Sequence, residues 1–294
     1  MASNKRRVLI TGATGKQGGS VVRHMLGKGW NLVALTRDPE GRAAKTLVEK
    51  GIEVFRGDME DASSLDGAFH DVYGVYGVQD FWSVGAKREV LQGKNLADAA
   101  KKAGVEHFVY SSVGGAERNT GIGHWETKWE IEKHIRHLGL PATVLRPAGF
   151  MENYYVDHVE IGILQGKLYD PVRADKPYQT IASDDIGGFV ALAFERPKDF
   201  MGLELEIAGS ELTNPQAAEV FSRVLGRPVE FQEVPVPPMK EFQQMFQWFN
   251  EKGFNANIAQ LHKKYPEVRL RTLEQWLYDE GWHKRARRFA PPAE

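Results

Sequence analysis

Val8-Leu9-Ile10-Thr11-Gly12-Ala13-Thr14-Gly15-Lys16-Gln17-Gly18-Gly19 decides the fold of this chain. A short apolar run, rich in β-branched residues, breaks into a loop with glycines at 12, 15 and 18, and an amphipathic helix follows over about 17–28. The first glycine permits a tight turn, the second lets backbone approach a pyrophosphate, and the third packs helix against strand. Unpaired N–H groups in that helix's first turn carry partial positive charge and hold phosphate. Glycine loops also close ordinary hairpins, and the G-x-x-G-x-x-G spacing departs by one residue from the commonest dinucleotide fingerprint. Its place between a strand and a helix nevertheless reads as a dinucleotide-binding loop. Gly12, Thr14, Gly15, Lys16, Gln17 and Gly18 are its expected contacts.

Outward from this loop, strand-like and helix-like stretches alternate. Strands are predicted over 7–11, 31–36, 53–56, 73–78, 107–111 and 142–146, with helices over 17–28, 40–49, 63–69, 87–103 and 125–137. Short apolar strands joined by helix-length connections predict an α/β fold with a doubly wound parallel sheet of the Rossmann type. Its ligand crevice should lie at the carboxyl ends of the strands, where the winding reverses. After Pro147 the alternation fails, and Asp170-Pro171 and Lys176-Pro177 punctuate a loop. Ser183-Asp184-Asp185 reads as the cap of a helix over 186–194, and a strand over 203–207 is expected to return to the sheet. Helices over 215–225, 239–249 and 273–278 surround a Pro-rich strand near 229–236. The expected division is a dinucleotide-binding domain over 1–150, with returning elements within 178–210, and a smaller, mostly helical lobe over 151–294. In that lobe Phe242, Met245, Phe246 and Phe249 share a helical stripe that suits a core, while Trp248 falls off it and suits a lid.

Bulk properties narrow the classes. At 294 residues with a net charge of −1, there is no electrostatic case for direct nucleic-acid binding or a membrane surface. The absence of cysteine excludes disulfides and thiolate catalysis. No apolar run suits a bilayer and residues 1–7 lack a signal-peptide core, so a cytoplasmic protein is expected. The basic stretch 283–288 reads as a solvated tail.

The second strand leads into Thr36-Arg37-Asp38. An acidic side chain at this strand tip binds a ribose 2′-hydroxyl, whereas an arginine suits a 2′-phosphate. Arg37 can grip that phosphate as a fork and Thr36 can add a hydroxyl, which favours NADP(H). Asp38 is placed to serve a ribose instead, but its expected role is to cap the helix after Pro39. Asp58 and Met59, after the third strand, should pass the adenine, with a helix cap as the other reading of Asp58. Gln79, Asp80 and Phe81, after the fourth, should border the nicotinamide and its ribose.

Ordinary short-chain dehydrogenases use a serine after strand five and a Tyr-x-x-x-Lys pair on the next helix, the tyrosine donating a proton and the lysine lowering its pKa. Ser111-Ser112 stands in the first position, but no tyrosine here has a lysine four residues later. His124 and Lys128 hold that spacing and share a helix face. Either can move a proton, and each has a plainer reading: a ribose ligand for Lys128, a cap for His124. His134 and His137 sit three apart, but lack a carboxylate or thiol partner that would make a metal site. Trp82, Trp125, Tyr154 and Tyr155 flank strand ends, where they can line a flat apolar substrate pocket or fill a core.

These residues, with Gln92-Gly93-Lys94-Asn95, Phe150-Met151-Glu152-Asn153 and Thr272-Leu273-Glu274-Gln275-Trp276-Leu277, resemble the NmrA-like family over nearly the whole chain. The family comprises atypical short-chain dehydrogenases; some members are NADP-sensing regulators, others NADPH-dependent isoflavone-type, benzylic ether and quinone reductases. The resemblance implies that Gly12, Thr14, Gly15, Gln17 and Gly18 hold pyrophosphate, Arg37 the 2′-phosphate and Asp58 the adenine. It further implies that Lys128 touches the nicotinamide ribose and that Phe150, Glu152 and Asn153 lie beside the nicotinamide. An NADPH-dependent reductase of small planar substrates is the leading expectation. The alternative is an NADP(H) sensor acting through a regulated protein partner.

Overall fold

Each apolar run of the first half becomes a strand, and each intervening stretch a covering helix. The computed structural model describes residues 6–285. In order come β1 (Arg7–Thr11), α1 (Lys16–Met25), β2 (Asn31–Thr36), α2 (Arg42–Glu49), β3 (Glu53–Arg56), β4 (Val72–Gly77), α3 (Phe81–Val84), α4 (Ala86–Lys102) and β5 (His107–Ser111). Next are α5 (Gly123–His137), β6 (Ala142–Pro147), β7 (Gly149–Phe150), α6 (Asp157–Leu164), β8 (Lys167–Asp170), β9 (Pro177–Ile181), α7 (Ser183–Glu195), α8 (Pro197–Phe200) and β10 (Glu204–Ile207). Beyond them lie β11 (Ser210–Thr213), α9 (Asn214–Leu225), β12 (Glu230–Glu233), α10 (Lys240–Glu251), α11 (Ile258–Lys264), α12 (Leu273–Asp279) and α13 (Trp282–Arg285). No helix among the described residues is long and apolar enough to cross a membrane.

Two compact units result: residues up to Arg146 with Ser183–Leu205, and Pro147–Ala182 with the residues from Glu206 on. The seven-stranded sheet runs β10-β6-β5-β4-β1-β2-β3. β1 pairs in parallel with both β2 and β4, so the winding reverses there and opens a crevice at their carboxyl ends. Leu9, Val33, Val75 and Phe108 are fully buried, packed with Leu65, Leu96, Ala97, Ile131 and Ile135. Each such buried aliphatic or aromatic side chain stabilises the fold by roughly 1.5–3 kcal/mol. α7 docks on α1: Ser20 Oγ donates to the Ser183 carbonyl at 2.9 Å and Arg23 forks Asp184 at 2.8 and 3.0 Å.

The second unit is helical, but it also holds a three-stranded sheet, β11-β9-β7, and a two-stranded one, β12-β8. Its core gathers Met151, Leu168, Phe221, Trp276 and Trp282. Several local expectations change. The helix over 63–69 is a 3-10 helix, Ala62–Phe69, capped by Asp61. Asp38 does not cap α2: Gly41 stands at that position and no side chain caps the helix. α7 begins at Ser183 itself, ahead of the expected start. Trp248 is buried against Phe249 and Phe254, which makes it a core residue and not a lid. In the basic tail, Arg285 pairs with Glu160 and lies 4.7 Å over the Tyr155 ring, so it is docked; residues 286–288 lie outside the described residues.

Candidate functional site

The first unit brings the loops after β1 to β5 to one edge of its sheet. At the reversal, Thr11 Oγ1 accepts the Val78 N–H at 2.8 Å and donates to the Val78 carbonyl at 3.0 Å, which ties the ends of β1 and β4 together. Gly12 has φ +60. A Cβ on Gly18 would fall 2.2 Å from the Gly12 carbonyl oxygen and 2.6 Å from that of Thr11, so only glycine lets α1 start this close to β1. α1 has no side-chain cap and no acid in its first turn. Its leading N–H groups are thus left to an external acceptor. Thr14, Gly15 and Lys16 are exposed along this rim. Gln17 turns inward: its Oε1 accepts from Ser111 Oγ at 2.6 Å and from the Tyr76 hydroxyl at 3.2 Å. That bond anchors α1 to the sheet and occupies the serine that ordinary dehydrogenases keep for substrate.

After β2, Thr36 Oγ1 accepts the Asp38 N–H at 3.2 Å, so this hydroxyl shapes the turn that presents Arg37. Arg37 is exposed, and no ion pair among the described residues holds it. After β3, Asp58 Oδ1 accepts the Glu60 N–H at 3.0 Å. The loop is pinned from α4: Asn95 Nδ2 donates to the Met59 carbonyl at 2.9 Å and Gln92 Nε2 to Glu60 Oε1 at 2.8 Å. Arg88 Nε forks both Glu60 oxygens at 2.8 and 2.9 Å. These hydrogen bonds, Arg88 first, hold the Glu60 carboxyl below its ordinary range. The segment Gln92-Gly93-Lys94-Asn95 therefore shapes the adenine-side loop. Its glycine lets α5 approach, since a Cβ there would meet Ile131 Cδ1 at 2.5 Å.

After β4, Asp80 caps α3, accepting the Trp82 N–H at 3.2 Å and the Ser83 hydroxyl. Gln79 is buried and its Oε1 finds no partner, a cost the fold bears only where something else satisfies it. Lys128, 9% exposed on α5, donates from Nζ to the Gln79 carbonyl at 3.0 Å. The same ammonium lies 2.9 Å from Glu89 Oε1. Glu89 is fully buried on α4, and its other oxygen accepts the Thr127 hydroxyl. Sequence reasoning missed Glu89, although a signal existed. Glu89, Gln92, Gly93, Leu96, Ala97 and Ala100 form the buried face of α4, and Glu89 puts a charge on that face.

His124 stands in the first turn of α5, one turn before Lys128. Its ring lies 5.5 Å from Phe81 and 5.1 Å from Trp82, and Trp82 is 59% exposed. Trp125 is 2% exposed and packs inside the unit. His134 pairs with Asp98 at 2.7 Å. In the second unit, Phe150 forms β7 beside Ile181 of β9, while Glu152 and Asn153 lie in a 3-10 turn. Tyr154 packs on Phe221 and Trp276, and Tyr155 stacks on Trp282 with its hydroxyl on Glu280. Trp125, Tyr154 and Tyr155 thus have packing roles, and Trp82 is the exposed member of the expected aromatic set.

A profile of the NmrA-like family matches residues 4–277. An NmrA-like family domain-containing protein of Dictyostelium discoideum is 31% identical, the match covering 92% of this chain and 97% of that one. The fold superposes on NmrA, a negative transcriptional regulator solved in complex with NAD, with a TM-score of 0.81 at 20% identity, over 98% of this chain and 99% of that one. It also superposes on an NADPH-dependent quinone oxidoreductase of Escherichia coli, complexed with NADPH, with a TM-score of 0.79 at 23% identity, over 93% of this chain and 99% of that one.

Proposed function

The chain belongs to the NmrA-like family, and we propose that it is an NADPH-dependent reductase of small, planar, electron-poor molecules such as quinones, enones or aryl ethers. The observation that carries this reading is the pairing of a buried ammonium, Lys128, with an aromatic shelf of half-buried Phe81 and His124 and exposed Trp82 on the carboxyl edge of the sheet. Two features fit a dinucleotide. α1 starts without a cap beneath a loop that a Cβ at Gly18 would fill, and Gln79 Oε1 is a buried acceptor lacking a donor. The N–H groups of Thr14, Lys16 and Gln17 would hold the pyrophosphate, Arg37 the 2′-phosphate, Asp58 and Met59 the adenine, and Lys128 with Gln79 the nicotinamide ribose. Phe150, Glu152 and Asn153 enter through the family resemblance alone. A bound NADPH supplies hydride. The shelf orients a flat substrate, and Lys128, with His124 one turn away, delivers a hydrogen bond or proton to the substrate oxygen.

Aerobic NADPH oxidation against a panel of quinones, enones and aryl ethers, with heat-killed protein as control, tests the reading. Tight NADPH binding without oxidation of any compound would transfer the site to a second role. In that role the protein senses the NADP(H) pool and signals through a protein partner. The bond between Ser111 and Gln17 favours it, as does the histidine standing where reductases of the ordinary type keep tyrosine. A pull-down comparing NADP-loaded with empty protein examines that role.

A further inference from the structure

We propose that Glu89 is a positioning residue that aims the Lys128 ammonium, so that helix α4 sets the reactivity of a lysine on α5. The inference rests on the reading of Lys128 given above. Glu89 sits in the first turn of α4, fully buried, with one oxygen 2.9 Å from Lys128 Nζ and the other accepting the Thr127 hydroxyl. Thr127 and Lys128 are consecutive on α5, so one carboxylate grips two neighbouring side chains of the facing helix. The Gln79 carbonyl fixes the ammonium from a third element at 3.0 Å. An ammonium has three N–H groups. One is donated to the Gln79 carbonyl at 3.0 Å, while the Glu89 carboxylate lies 2.9 Å from the nitrogen as its counter-ion and the Tyr110 ring stands 5.9 Å from it.

Stability alone does not explain this arrangement. Replacing a buried ion pair with apolar side chains of similar volume is often neutral or stabilising, and the rest of this face of α4 is packed with Leu96, Ala97 and Ala100. Two buried charges joined to a backbone carbonyl, next to an unpartnered Gln79 Oε1, form a rigid holder for one cation at the end of β4. Such holders locate a group within a fraction of an ångström, which is what orientation-dependent chemistry needs.

The test is a set of variants measured for turnover, for NADPH affinity by calorimetry and for thermal stability. Glu89→Asp keeps the charge but withdraws it by one methylene; Glu89→Gln keeps the length and removes the charge. Positioning predicts that both lower kcat at saturating NADPH by about ten- to a hundred-fold. Glu89→Asp should keep a wild-type melting temperature. In the Lys128→Met background, Glu89→Gln should lower turnover no further, because the acid acts only through the lysine. Wild-type kcat per folded molecule in Glu89→Asp would overturn the proposal, as would independent losses in the double variant. Should the wild type reduce nothing on the panel, the reductase reading fails and the positioning claim passes to NADPH affinity. There Glu89→Gln must weaken binding as much as Lys128→Met does and add nothing to it, and unchanged affinity would sink the proposal too.

Discussion

Arg37 offers the sharpest test of the cofactor assignment, because its substitution should change binding and little else. The side chain is exposed at the tip of β2, and the turn beneath it is held by Thr36 and the Asp38 backbone. Alanine at 37 therefore leaves the turn intact, and a surface change of this kind shifts stability by within about 0.5 kcal/mol. Binding is another matter. A guanidinium facing a 2′-phosphate makes a charge-assisted, forked contact worth roughly 1.5–3 kcal/mol. That range converts to a loss of about ten- to a hundred-fold in NADPH affinity, at about 1.4 kcal/mol per decade. NADH has no 2′-phosphate, so its affinity should hardly move. Lysine keeps the charge but loses the fork, and Arg37→Lys should fall between the two. Raising the salt concentration should shrink the wild-type preference, since the contact is solvent-exposed. Calorimetric titration of wild type, Arg37→Ala and Arg37→Lys with both cofactors decides the matter. Equal losses for NADPH and NADH would show that another residue reads the 2′ position.

Gly15→Val should abolish NADPH binding while the melting temperature holds. Its Cβ would stand 3.3 Å from the Gly12 carbonyl oxygen on the exposed side of the loop, and retained affinity would remove the basis for a dinucleotide site. Lys128→Met should lower turnover at saturating NADPH by at least about a hundred-fold, with a smaller loss for His124→Ala; the reverse ranking in steady-state kinetics would make the histidine the proton donor. Burial pushes the Asp170 carboxyl up to about 6, so the folded chain keeps a proton that the unfolded chain releases near pH 4. Its stabilising share is complete below about pH 4 and is lost as pH rises through about 6, in all roughly 3 kcal/mol. Asp170→Asn retains an acceptor for the Val172 N–H, bonded now at 2.7 Å, and should stabilise the protein at pH 8 but not at pH 4 in denaturant melts; a pH-independent difference would contradict this.

The sequence carried the sheet because its strands are apolar runs cut off by glycine, proline or charge, a signal written locally. Residues 7–11, 31–36, 53–56 and 107–111 are strands with the expected bounds. Of the small sheets of the second unit, the sequence pointed only to the strand near 229–236, found as β12 (Glu230–Glu233). β7 is two residues long, and β8 meets β12 by pairing Lys167 with Glu230, along strands with few buried positions. Side-chain roles divide in the same way. The glycines at 12, 15 and 18 act through the backbone at their own positions, and their spacing announces them. Gln17 reads as a loop residue, but its work depends on Ser111 and Tyr76, which the winding of the sheet brings to it. Glu89 is the extreme case. Directly after Lys87 and Arg88, it passes for one more solvated charge until α5 lays Thr127 and Lys128 against it. A charge on the buried face of an amphipathic helix needs a partner from another element. Where that partner is the lysine already suspected of chemistry, the helix face itself marks the carboxylate as part of the site.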